Sequence, residues 1–108
     1  MAGFRRGSTP TNTFNCNVDL SSATVFVTYA QNNKVIGEKT GAVLTVTATT
    51  TGSTVELELS QTDTLAFQKG LVEVQIRYVM SDGTADASNI IRVDAERILK
   101  DGVISYAV

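Results

Sequence analysis

Two stretches of the chain alternate strictly between apolar and charged or polar residues. In the first, Glu56 and Glu58 stand between three aliphatic residues. In the second, Glu73, Gln75 and Arg77 stand between two valines, an isoleucine and a tyrosine. A period of two places the apolar side chains on one face of an extended strand and the polar ones on the other. Both stretches therefore predict strands of a half-buried antiparallel sheet.

Runs of similar character, separated by turn-forming residues, predict further strands. The turn signals include Asn32-Asn33 and Asp82-Gly83, because asparagine and glycine tolerate the positive φ of tight hairpins. Between the two alternating stretches, Ser60 and Asp63 predict a capped helical turn. We expect strands over residues 11–18, 24–31, 34–40, 43–49, 54–59, 71–80 and 85–93, with a last short strand over 103–106.

This spacing of short strands and turns predicts the fold class. We expect an all-β protein: an antiparallel β-sandwich, Ig-like or jelly-roll-like, of about 7–8 short strands. Residues 11–108 would form this single domain, and the Gly-, Ser- and Pro-containing residues 1–10 would form an extended N-terminal arm. Strand 34–40 is the most polar and is expected near a sheet edge.

Composition is that of an ordinary globular domain. The 108 residues are 43% hydrophobic and 19% charged, and the net charge is -2. Nucleic-acid binders normally show a basic face, so no nucleic-acid partner is expected. No apolar run approaches the roughly 20 residues that span a membrane. The N-terminus lacks the apolar core of a signal peptide. The lone Cys16 leaves no intrachain disulfide, which fits a protein made in a reducing cytoplasm.

The sequence offers little chemistry for catalysis. It has no histidine, and its glycines are too scattered for a phosphate-binding loop. Asp82 and Asp86 fit a hairpin better than a calcium loop, which needs more oxygen ligands. Asp94 and Glu96 stand close to arginines and fit a solvated ion-pair surface better than an acid–base pair. We therefore predict no enzyme activity, no catalytic or metal-binding residue and no cofactor.

The candidate binding residues lie in the N-terminal arm. Arg5 and Arg6 could pair bidentately with carboxylates of a neighbouring subunit, and Thr9 and Pro10 complete the segment. On this hypothesis, deletion of residues 1–10 would abolish assembly and leave the melting temperature almost unchanged.

Several segments, taken in order, resemble a family of small phage proteins. They are residues 5–11 (RRGSTPT), 27–31 (VTYAQ), 59–67 (LSQTDTLAF), 74–77 (VQIR), 82–85 (DGTA) and 98–104 (ILKDGVI). The set looks like tail-region proteins of phages of Gram-positive bacteria and like the N-terminal module of upper baseplate proteins. The resemblance implies a non-enzymatic virion subunit of the tail tip, baseplate or an adaptor. This sequence departs from the longer baseplate proteins by stopping at Val108, so we expect a free-standing subunit. The resemblance also implies other phage structural proteins as partners, a homo-oligomer, and location in the virion after synthesis in the host cytoplasm.

Two other hypotheses remain open. The chain could be a small phage-encoded binding module that inhibits a host factor or binds a surface glycan. A gene distant from the structural cluster, or absence from virions, would favour it. The second hypothesis is a hydrolase that uses a serine and a lysine, but no motif supports one.

The alternation in residues 71–80 generates a test of register. Ile76→Ala should lower the free energy of unfolding by roughly 2–5 kcal/mol, as for truncation of a buried aliphatic side chain. Arg77→Ala should lower it far less, because its side chain points to solvent. Urea denaturation of both variants measures the difference. Equal losses would mean that the strand is shifted by one residue.

Overall fold

The computed structural model describes residues 3–106, which form a sandwich of two β-sheets. Residues 1, 2, 107 and 108, which belong to the predicted arm and domain, lie outside the described part. The elements are β1 (Phe4–Arg5), β2 (Thr11–Cys16), β3 (Thr24–Gln31), β4 (Lys34–Thr40), a 3-10 turn (Gly41–Val43), β5 (Thr45–Thr49), β6 (Gly52–Glu58), α1 (Gln61–Leu65), β7 (Gly70–Val79), β8 (Ala85–Ala87) and β9 (Ile91–Glu96).

The larger sheet has the order β1-β9-β7-β3-β4, and β8 pairs with β7 beyond the end of β9. The smaller sheet has the order β2-β6-β5. Pairing is antiparallel except between β1 and β9, where Phe4 lies opposite Ala95 in parallel register. The predicted all-β sandwich is confirmed, and β4 lies at a sheet edge as its polarity predicted.

Most predicted strands are present, with some different bounds. The strand predicted over 85–93 is interrupted, because β8 ends at Ala87 and β9 begins at Ile91. Residues 43–49 begin with the 3-10 turn rather than a strand, and the first predicted strand ends at Cys16. The strand predicted over 103–106 is wrong, since this segment has no regular secondary structure. Asn32 and Asn33 both take positive φ and form the expected hairpin turn.

The inner faces of the two sheets make the core. Val72, Val74 and Ile76 of β7 are buried, while Arg77 is exposed, which is the register that the alternation predicted. From the smaller sheet, β6 contributes Val55. The remaining buried apolar side chains are Phe4, Phe14, Leu20, Val25, Val27, Tyr29, Leu57, Leu59, Phe67, Val93 and Ala95.

A close backbone approach holds β6 against the end of β2. Gly52 has φ 155°, and a side chain there would collide with the carbonyl oxygen of Cys16 and the backbone of Asn17. Nearby, the buried hydroxyl of Ser53 donates to the carbonyl of Val18 at 2.7 Å. It also accepts from the amide of Leu20 at 3.2 Å. The loop after β2 is thereby fixed over this end of the core.

Besides Ser53 and Thr64, two amide side chains are buried among the apolar ones, those of Asn12 and Gln31. Asn12 Nδ2 donates to the hydroxyl of Tyr29 at 2.8 Å, joining the smaller sheet to the larger across the core. Gln31 Nε2 donates to the carbonyl of Gln68 at 2.6 Å, and its Oε1 accepts from the amide of Gln68 at 2.7 Å. Both pairs satisfy groups that would be costly to bury alone. Asn12 lies two residues before the buried Phe14, so the alternation of β2 places it on the same inner face.

The crossover, residues 60–68, leads from the smaller to the larger sheet and contains α1. Ser60 caps this helix: its hydroxyl accepts from the amide of Asp63, whose carboxylate accepts from the amide of Ser60. This is the capped turn that the sequence predicted. Asp63 also accepts from Lys39 Nζ at 2.8 Å, which ties the crossover to β4. Burial alone would raise the pKa of Asp63, but the bonds from Lys39 and Ser60 outweigh it and lower the pKa.

The Tyr29 hydroxyl makes stability sensitive to alkaline pH. Burial raises the pKa of Tyr29 to about 12, against the lowering effect of the bond from Asn12 and with a further rise from the negative Asp63. An unfolded tyrosine titrates near 10. The folded state therefore holds this proton more tightly than the unfolded state. The stabilising effect of protonated Tyr29 is full below about pH 10 and disappears as pH rises towards 12.

We expect the free energy of unfolding to fall by about 2 to 3 kcal/mol over this range because of Tyr29. Tyr29→Phe should be less stable at neutral pH by about 1–3 kcal/mol, since Asn12 loses its acceptor. Between pH 10 and 12, however, the free energy of unfolding of this variant should fall less than that of the native protein. Urea denaturation at stepped pH measures both. Parallel pH profiles for the two proteins would contradict this account of Tyr29.

Candidate functional site

The predicted binding segment at the N-terminus is part of the sandwich. Phe4 is 6% exposed and contacts Phe67 edge to face, with ring centroids 5.4 Å apart. The amide of Arg6 donates to the carbonyl of Glu96 at 3.0 Å, which continues the pairing of β1 with β9. The expectation that removal of residues 1–10 would leave stability almost unchanged does not fit these contacts. Deletion would open the core at Phe4.

Arg6 is directed inward, towards the crossover. Its Nε donates to the carbonyl of Phe67, and its Nη2 donates to the carbonyl of Leu65 at 3.0 Å. Nη2 also lies 3.4 Å from the carboxylate of Asp101, and only 19% of the Arg6 side chain is exposed. Because its donors are engaged within the chain, Arg6 is a structural residue here. A positive charge also suits the last carbonyls of a helical turn.

Arg5, Thr9 and Pro10 have different surroundings. Arg5 pairs with Glu96 at 3.3 Å, and about two-thirds of its side chain (67%) is exposed. Thr9 is exposed, and the carbonyl of Pro10 accepts from the amide of Leu59 at 3.0 Å. Arg5 ends β1 and Arg6 begins the turn after it, and the two side chains are directed differently, Arg5 to solvent and Arg6 inward. Of the four predicted residues, Arg5 and Thr9 are the ones that solvent reaches freely.

The C-terminal segment, residues 98–104, lies against α1 beside the N-terminal segment. Gln61 exchanges two hydrogen bonds with the backbone of Ile104, at 2.9 and 3.0 Å. A cavity of about 330 Å³ separates this segment from the N-terminal one, and Gly7, Ile98 and Ile104 contribute to its lining. The two ends of the described chain are therefore held side by side by the crossover.

A second surface, which sequence reasoning missed, is the outer face of the larger sheet. The central strand β3 turns Phe26, Thr28 and Ala30 to this face, and all three are only half-buried. Ala30 pairs with Val35 of β4, which is 60% exposed, and Thr28 pairs with Gln75 of β7. We call these five residues the outer strip. The signal was present in the sequence: Val25, Phe26 and Val27 are consecutive apolar residues, so one of them must face outward.

Charged side chains flank the outer strip on its two long sides. Glu38 of β4 lies opposite Thr28, and Arg77 of β7 lies opposite Phe26. Within residues 3–106 neither Glu38 nor Arg77 belongs to an ion pair. Further out, Glu73 pairs with Arg92 at 3.3 Å. An uncharged centre with a charged rim is the anatomy of a protein–protein interface.

Asp82, considered from the sequence for a calcium loop, occupies a structural position. Asp82 accepts from the amide of Thr84 at 2.8 Å and shapes the turn between β7 and β8. Among the described residues, no three His, Cys, Asp or Glu side chains lie close enough to hold a metal ion. Burial raises the pKa of the Cys16 thiol, which disfavours the reactive thiolate. Within the same part of the chain, no helix is long and apolar enough to cross a membrane.

Comparison with known proteins gives similarities of fold only. No protein-family model matches the chain. No curated protein matches it either. Among solved structures it is similar to the V domain of amphioxus IgVJ-C2, with 9% identity over 89% of this chain and 99% of that chain, and a TM-score of 0.34. It is also similar to murine CRIg, with 14% identity over 92% of each chain and a TM-score of 0.36. Both similarities are too low to assign a function.

The contrast between the two arginines is directly testable. Arg6→Ala should lower the free energy of unfolding by about 1.5–3 kcal/mol, because it removes hydrogen bonds from a charged donor to partly buried carbonyls. Arg5→Ala is the matched control and should cost at most about 1 kcal/mol, as expected for an exposed ion pair. Chemical denaturation measures both values. If Arg6→Ala proved no more damaging than Arg5→Ala, Arg6 would not be the anchor of the N-terminal segment.

Proposed function

We propose that this protein is a non-enzymatic structural subunit of a phage virion, in the tail tip, the baseplate or an adaptor, which acts through protein–protein contacts and self-association. The ordered set of sequence segments supports the phage context. The outer strip is the observation that carries the assembly role. The small-module alternative would use the same fold to bind a host factor or a surface glycan instead.

Phe26 gives the outer strip its capacity to bind. An aromatic side chain on the solvent face of a central strand is not needed for the core, which the inner faces already fill. Such a residue contributes large apolar area with few rotatable bonds, and aromatic residues at the centre of interfaces carry much of the binding energy. Around it, Thr28, Ala30 and Gln75 form an uncharged surface, which costs less to desolvate than a charged one.

The arrangement of the rim charges favours a second copy of the same chain as the partner. Glu38 and Arg77 stand on opposite sides of β3. If two copies pack these faces together about a two-fold axis parallel to β3, Glu38 of each copy lies near Arg77 of the other, and the pair occurs twice. Opposite charges in these positions would set the register of the two sheets and reject unrelated surfaces.

This model of assembly makes a specific prediction for charge exchange. The native protein should self-associate in a concentration series measured by light scattering. Phe26→Asp should abolish association, because it places a carboxylate in the desolvated centre. Glu38→Arg and Arg77→Glu should each weaken association by about tenfold or more, as one lost pair repeated by symmetry costs at least about 1.4 kcal/mol. The double variant Glu38→Arg/Arg77→Glu should restore it.

Glu58→Arg, an exposed charge change on the smaller sheet, is the control and should associate like the native protein. A protein that stays monomeric at every concentration, or a double variant no better than the singles, would contradict self-association through the outer strip. The virion role has its own test, which is detection of the protein in purified phage particles. Its absence from them would favour the small-module alternative.

A further inference from the structure

A cleft lies at one end of the sandwich, where the two sheets diverge. It has a volume of about 720 Å³, within the range typical of small-molecule sites. One wall is the end of β2 with the loop after it, and the other is the inner face of β7 and β8. The interruption between β8 and β9, at residues 88–90, lies at its mouth. The cleft is separate from the outer strip, which faces away from the core.

Two polar side chains stand on the inner face of this end, where the rest of the sandwich carries core residues. Tyr78 of β7 and Asp86 of β8 are directly paired across the two strands, so their side chains lie on the same face. Both line the cleft, and Asp86 is exposed because the smaller sheet does not cover it. Asp86 Oδ1 accepts from the amide of Ala87 at 2.8 Å. Within residues 3–106, Oδ2 and the Tyr78 hydroxyl make no hydrogen bond.

The rest of the lining combines amides with an apolar floor. Asn17 and Asn89 present side-chain amides from the two sides of the mouth, and neither amide is bonded within the described chain. Each amide offers both donors and an acceptor. Val18 and Ile91, which are only partly buried, supply the apolar surface beneath them. The lining thus combines the Tyr78 ring, aliphatic side chains, and hydrogen-bond donors and acceptors within one cleft.

We propose that this cleft is a binding site for a neutral saccharide of one or two sugar units. A sugar ring has an apolar C–H face and a rim of hydroxyls that donate and accept hydrogen bonds. The apolar floor and the Tyr78 ring match the C–H face, and Asp86, Asn17 and Asn89 match neighbouring hydroxyls. This site is independent of the outer strip, so a self-associated protein would still expose it.

The charge of the lining favours this class of ligand over ionic ones. Asp86 is the one charged residue among the described lining residues. Its carboxylate repels phosphates and other anions, and a single carboxylate supplies too few oxygen ligands for a calcium ion. A carboxylate that accepts from two neighbouring hydroxyls makes charge-assisted hydrogen bonds, which are stronger than neutral ones. Asp86 is therefore expected to contribute most to affinity.

The test is titration of the ¹⁵N-labelled protein with neutral sugars. The probes are the methyl glycosides of glucose, galactose, rhamnose and N-acetylglucosamine, together with maltose and lactose. We expect at least one of them to shift the backbone and side-chain amide resonances of Asn17, Ser88 and Asn89 in a saturable way. Asp86→Ala should weaken that binding by about ten- to a hundredfold. Tyr78→Phe should keep the fold and weaken binding by a smaller factor.

Asp94→Ala is the matched control, because it removes an exposed strand carboxylate away from the cleft. It should bind like the native protein. Asn89→Ala is a second variant at an exposed position and should also weaken binding. Three outcomes would overturn the proposal: no shift with any sugar, shifts that map outside the cleft, or equal affinity for the Asp86 and Asp94 variants.

Discussion

The structure depends on the hydrogen bonds of the crossover segment, residues 60–68, which joins the smaller sheet to the larger. The Thr64 hydroxyl donates to the carbonyl of Ser8 at 2.8 Å, and Arg6 donates to the carbonyls at the end of α1. Gln31 satisfies both backbone groups of Gln68, and Lys39 pairs with the capping carboxylate. A short helix is not stable in isolation. Here the helix is fixed because the N-terminal segment, β3, β4 and the C-terminal segment all form hydrogen bonds with the crossover.

This constraint explains why the N-terminal segment was mispredicted as an arm. Composition alone marked residues 1–10 as polar and extended, and the sequence pattern contains no sign that Phe4 packs on Phe67. Their contact is long-range and depends on the position of the crossover. By contrast, local signals predicted β3, β4, the Asn32-Asn33 turn and the Ser60 cap correctly. Those features depend on neighbouring residues, so periodicity and turn chemistry were sufficient.

Sites on the surface were less predictable for the same reason. The outer strip needs the pairing of β3 with both β4 and β7, which brings Phe26, Val35 and Gln75 onto one face. The cleft needs the pairing of Tyr78 with Asp86 and the divergence of the two sheets. No short motif marks either site. Three separate segments, residues 5–11, 59–67 and 98–104, contact one another at the crossover.

The crossover holds the N-terminal segment as an integral part of the sandwich, and native-state amide hydrogen exchange can show this. We expect the amides of Arg6, Leu59 and Gln68 to exchange as slowly as those in the middle of β7, because all of them open only when the whole domain unfolds. Exchange of the Arg6 amide at the rate of an unstructured peptide, with β7 still protected, would mean that the N-terminal segment is a free arm.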